Sequence, residues 1–177
     1  LPYDDPERAH RLLTFCTDSA LHYIRALYRH FNGNQPMPPG QGGIPDDFAG
    51  MLPPALFDEF VVAYWDRFYD GMQSTRRALH SELLREEHLP FLQKARIDQF
   101  DPGADQYLTP ELLSRTCHCP FMTLIKSWEI NDRTADELEQ FYRDIAACRP
   151  VHIRFSIDRL DQLDKIKRLL KVARELA

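Results

Sequence analysis

Apolar residues recur along this chain with two different periods. From Asp5-Pro6-Glu7, where Asp5 caps and Pro6 takes the first helical position, Leu12, Leu13, Phe15, Cys16, Ala20, Tyr23, Ile24, Leu27 and Tyr28 keep a helical spacing to about Phe31. Asn32-Gly33-Asn34 stops that helix, and the Pro- and Gly-dense stretch after it leaves room only for a short extended segment near Ile44. Pro53-Pro54 opens a second helix carrying Phe57, Phe60, Val61, Tyr64, Trp65, Phe68 and Tyr69 to Gly71, an aromatic stripe that the spacing assigns to core packing. Beyond Gly71 the runs shorten and alternate. Strands are predicted at 77–80, 97–100, 121–128 and 151–157, with helices at 83–92, after Thr109-Pro110-Glu111, from the Thr134-Ala135-Asp136-Glu137 capping pattern to about Cys148, and over 160–177.

Short apolar strands alternating with helices predict an α/β protein, a parallel sheet with outer helices. Neither a G-x-G-x-x-G turn nor a P-loop occurs, so a (β/α)8 TIM-type barrel is the better reading than a doubly wound sheet. A whole barrel usually needs about 250 residues. The 177 residues here supply four or five strands, and so predict a single domain, 1–177, that is part of a barrel. Leu1 in place of an initiating Met suggests a start inside a longer reading frame or after processing.

Composition narrows the function classes. With 44% hydrophobic, 28% charged and 11% aromatic residues the chain is globular rather than disordered. A net charge of −5 offers no basic field for nucleic acid, and no apolar run is long enough to span a membrane, so a cytoplasmic protein is expected. The cysteines Cys16, Cys117, Cys119 and Cys148 form no C-x-x-C pair, which fits a reducing compartment. Cys117-His118-Cys119 resembles a metal cluster, but neighbours in an extended segment face opposite ways and rarely chelate together.

The predicted strand ends are acidic: Asp46 and Asp47, His80 with Glu82, Asp101 and Asp105, Glu129, and Asp158 with Arg159. Each carboxylate alone reads as a cap of the next helix or turn. Together they line the end of the sheet where barrel enzymes place their chemistry. His80 and Glu82, two apart at a strand end, point the same way and offer nitrogen and oxygen to a divalent metal such as zinc; Asp158, Glu129 or Asp46 is the expected third ligand.

The order of segments resembles the C-terminal half of the uroporphyrinogen decarboxylase superfamily, which includes cobalamin-linked methyltransferases. Ile44 to Leu52, followed by Pro54-Ala55-Leu56-Phe57-Asp58-Glu59-Phe60, is similar to a strand ending in F-D-S-W-x-G and an S-P-E-x-F-x-E-F helix start. Ala78-Leu79-His80 resembles the I-L-H strand, Phe100-Asp101 takes the next strand end, and Thr134 to Leu138 resembles T-P-E-E-V. Where decarboxylases carry G-N-x-D-P and G-H-G, this chain has Trp128 to Asp132 and Ser156 to Arg159. Where thiol methyltransferases bind zinc through H-x-C and a later Cys, it has His80, Glu82 and, approximately, Asp158.

The resemblance implies a corrinoid-linked, metal-assisted methyltransferase. In that reading Asp46 and Asp47 are catalytic, Phe48, Asp101, Glu129 and Arg159 bind substrate, and His80, Glu82 and Asp158 hold zinc or another divalent ion. A partner protein would carry the cobalamin. The alternatives are uroporphyrinogen III decarboxylation, with a tetrapyrrole substrate, and a noncatalytic half-barrel scaffold. A missing N-terminal half or a second copy of the chain is expected to cover the open edges.

Overall fold

The computed structural model describes residues 1–176. Eight α-helices and five strands follow one another in the described residues: α1 (Pro6–Asn32), β1 (Gly40–Pro45), α2 (Pro54–Phe57), α3 (Ala63–Gly71), β2 (Ser74–His80), α4 (Leu89–Lys94), β3 (Gln99–Asp101), α5 (Pro110–Thr116), β4 (Met122–Ile125), α6 (Ser127–Asp132), α7 (Ala135–Ala147), β5 (His152–Phe155) and α8 (Leu163–Leu176). β1, β2 and β3 pair in parallel, as do β4 and β5. A parallel bridge between Phe100 and Phe121 joins the two groups in the order β1-β2-β3-β4-β5. Parallel strands linked by helices make this a partial TIM-barrel-like α/β fold.

Burial alternates along much of the strands. Leu79, Phe100 and Ile125 on one face are fully covered by helices, whereas Gln41, Gly43 and Arg154 on the other are exposed and Ala78, His80 and Gln99 half-buried. The helix-covered face holds the core, in one cluster around Phe57, Trp65, Tyr69, Leu79 and Phe100 and a second around Ile125, Ile130, Leu138 and Leu169. The other face is the inner face of the curved sheet and lies open.

The aromatic helix differs from its predicted register. A π-helical turn over Asp58–Val62 joins α2 to α3. Its extra residue per turn rotates everything downstream. Phe57, Phe60, Val61, Trp65 and Tyr69 are buried as expected and Val62 joins them, but Tyr64 and Phe68 remain half-buried. Burial pushes the Tyr69 phenol well above its usual range, and its hydroxyl donates to the Ala78 carbonyl at 2.6 Å.

Other boundaries move too. The helix expected over 83–92 is a short 3-10 turn at Glu86–His88 leading into α4, because Leu83 takes a left-handed φ of 65° and His88 closes the turn by accepting from the Arg85 amide. The strand expected over 121–128 ends at Ile125, because Ser127 to Asp132 close into α6 with Glu129 accepting from the Lys126 amide. In α1 only Ala9 and Leu21 are buried, and Leu12, Phe15, Tyr23, Leu27 and Phe31 stand exposed. No helix among the described residues is long and apolar enough to cross a membrane.

Candidate active site

All five strands run in parallel, so their carboxyl ends share one edge, where β1, β2 and β3 finish at Pro45, His80 and Asp101. The backbone ties the first three ends together: the Asp46 amide donates to the His80 carbonyl at 2.9 Å and the Ser81 amide to the Asp101 carbonyl at 3.1 Å. Ser81, fully buried, adds its hydroxyl to the Asp46 carbonyl at 2.6 Å. Asp46 is committed to packing, its carboxylate accepting from the Trp65 indole at 2.8 Å.

His80 occupies the centre of this edge. Its Nδ1 lies 3.0 Å from Asp101 and its Nε2 3.4 Å from Asp47, so the imidazole is held between two carboxylates. The ring is 35% exposed and lines a cavity of about 440 Å³ on the inner face with Gln41, Gly43, Ala78, Gln99 and Asp101. Asp101, whose side chain is only 10% exposed, also accepts from the Gly103 amide and from Arg154, whose Nη2 lies 2.6 Å from both carboxylate oxygens. Arg154 stands on β5, so its side chain crosses β4 to reach β3. The result is a connected row, Asp47, His80, Asp101 and Arg154, in which a proton on either imidazole nitrogen has a carboxylate acceptor beside it.

Glu82 reaches the same spot from the next loop. Its carboxylate accepts from the Ala104 amide at 3.0 Å, and Gly103, at φ +62°, fits between it and His80. A Cβ at Gly103 would lie 2.4 Å from the Glu82 oxygen and 2.8 Å from the His80 ring. Asp105 braces the loop by accepting from the Leu83, Tyr107 and Leu108 amides.

The structure brings Asp47, His80, Glu82 and Asp101 together and sets the remaining expected site residues apart. Glu129 is not at a strand end; it caps α6. Asp158 faces Asn131 at 3.3 Å, and Arg159 pairs with Asp161 in the exposed turn after β5. Phe48 is 74% exposed in the turn after β1. The expected metal set of His80, Glu82 and Asp158 therefore does not assemble. Among the described residues no group of three or more His, Cys, Asp or Glu is arranged to hold a metal ion. The donors are already taken: Asp101 by Arg154 and Gly103, Glu82 by Ala104, and both imidazole nitrogens by carboxylates. Zinc does not fit these residues.

Arg154 is the functional candidate the sequence reading passed over. The signal was present in His152-Ile153-Arg154-Phe155, where alternation places Arg154 opposite Ile153 and Phe155, on the inner face of a predicted strand.

Comparison with known proteins agrees with this architecture. Residues 1–106 match the family described as Uroporphyrinogen decarboxylase (URO-D). Among solved structures, a methyltransferase from Methanosarcina mazei superposes with a TM-score of 0.61 at 13% identity, covering 90% of this chain. The chain spans 47% of that methyltransferase. No curated protein matches the chain.

Proposed function

Because this chain belongs to the uroporphyrinogen decarboxylase family, we propose that its strand-end face is part of the active site of a superfamily enzyme that transfers a methyl group between a small heteroatom substrate and a corrinoid. The observation that carries this reading is His80, held between Asp47 and Asp101 at the wall of the inner-face cavity. A proton must reach or leave the substrate's heteroatom as methyl departs or arrives, and an imidazole between two carboxylates is equipped to move it without a metal. Asp101 and Arg154 act as positioning residues, fixing the ring through Nδ1. Asp47, the more exposed of the two carboxylates, orients the substrate. A corrinoid, carried by a partner protein and presented at the open face, would supply the methyl acceptor or donor.

Charge favours a neutral or cationic substrate, since Asp47, Glu82 and Asp101 outnumber Arg154 around His80. Uroporphyrinogen III decarboxylation is the second reading. It is supported by Arg154, whose side chain is 46% exposed and could receive a propionate beside Asp101.

The test is an assay of the intact protein with cob(I)alamin and a panel of methylated amines, thiols and ethers, run beside an assay with uroporphyrinogen. Methylcobalamin formation that falls about 100-fold in His80→Ala is expected. Turnover of uroporphyrinogen alone selects the second reading. No turnover of either, by a protein whose fold is intact, leaves the scaffold role.

A further inference from the structure

The opposite end of the sheet carries a second cluster of reactive side chains. Cys117 ends α5 in an extended conformation, and the chain bends at His118 and Cys119 before Pro120 leads toward β4. His118 lies between the cysteines in sequence, and their sulfurs are 3.6 Å apart. Cys117 is half-buried and Cys119 buried, both on the wall of an open cavity of about 540 Å³ that Cys148 and Arg149 also line.

We propose that Cys117 and Cys119 are an oxidation site, a dithiol that reduces a hydroperoxide and closes to a disulfide. The Cys117 thiolate attacks the distal peroxide oxygen, the O–O bond breaks, and the departing alkoxide takes the proton that Cys117 had released to solvent, leaving a sulfenic acid. The Cys119 sulfur then attacks Cys117, the S–O bond breaks, and hydroxide leaves with the Cys119 proton as water. Two thiols and one hydroperoxide become one disulfide, one alcohol and one water.

The geometry suits both steps. A half-buried nucleophilic sulfur beside a buried resolving sulfur, both on the wall of one open cavity, is an arrangement that suits sulfenic acid chemistry. Closure requires the sulfurs to approach by roughly 1.5 Å, within reach of side-chain rotation. The contact between the two sulfurs lowers the Cys117 thiol to about 7, while that contact and burial hold Cys119 far above its ordinary value. Asp98 adds negative charge near Cys119, favouring its protonated form.

Trypsin cleavage after Arg115 and Lys126 places both cysteines, and neither Cys16 nor Cys148, in one peptide, 116–126. After limited hydrogen peroxide treatment of the full chain, that peptide should lose two hydrogens and resist alkylation until dithiothreitol restores it. In Cys119→Ser the reaction should stop at a sulfenic acid that dimedone traps on Cys117, and in Cys117→Ser the remaining Cys119 should oxidise about tenfold or more slowly than Cys117 does in Cys119→Ser. Cys148→Ser should oxidise as the parent does. Two alkylatable thiols in 116–126 after treatment, earlier oxidation of Cys16, or a cross-link to Cys148 would each overturn the proposal.

Discussion

Arg154 holds Asp101 from two strands away, its Nη2 lying 2.6 Å from each carboxylate oxygen across the intervening β4. The cation neutralises the carboxylate that sets the His80 ring, so neither partner acts alone. Arg154→Met should leave Asp101 with fewer donors than its charge needs and cost about 1–3 kcal/mol, measured by urea unfolding. Asp101→Asn should keep the fold, lower kcat more than it raises KM, and displace the pH–rate profile, a shift that a purely structural residue would not produce.

Gly103 is expected to admit no side chain. Gly103→Ala would push a methyl into Glu82 and His80 and strain a left-handed residue. Activity should fall while the melting temperature drops by only a few degrees; unchanged turnover would mean that His80 and Glu82 do not converge there.

Arg77 is 7% exposed on the helix-covered face of β2, bound to Asp66, to Asp70 at 2.8 Å and to the Ala95 carbonyl at 2.9 Å, and lies over the Tyr69 ring. Arg77→Ala removes the cation and its packing together and should destabilise by about 2–3 kcal/mol. Denaturant titration giving under 0.5 kcal/mol would contradict this role.

Phe57, fully buried, meets Trp65 edge-on at 5.6 Å and lies 4.9 Å from both His88 and Phe91. Phe57→Ala should cost about 3–5 kcal/mol. The same change at Phe68, half-buried beyond the π turn, should cost clearly less; equal losses would place both on one continuous helical face.

Periodicity made the long helices and the α/β alternation readable, because α1 and the capped α7 announce themselves through local signals such as Asp5 and the Thr134 to Glu137 box. It could not reveal the π turn, which depends on how Trp65 and Tyr69 meet the sheet rather than on any residue within it. At the site, the I-L-H resemblance located His80 and strand ends located Asp47 and Asp101, since short motifs at strand termini survive without knowledge of the rest. Glu129, Asp158 and Arg159 have other partners that the strand-end pattern does not show: the Lys126 amide, the Asn131 side chain on α6 and Asp161. Arg154 was missed because its partner lies 53 residues away.

The span from Arg154 to Asp101 also has a mechanical reading. Parallel neighbours lie about 4.8 Å apart, so the pair is a chord drawn across two strand spacings of a curved sheet. Such a chord draws the rim inward, and anything that neutralises either end slackens it. A ligand that competes for Arg154 is therefore expected to loosen the hold of β5 on β3, and its departure to restore that hold.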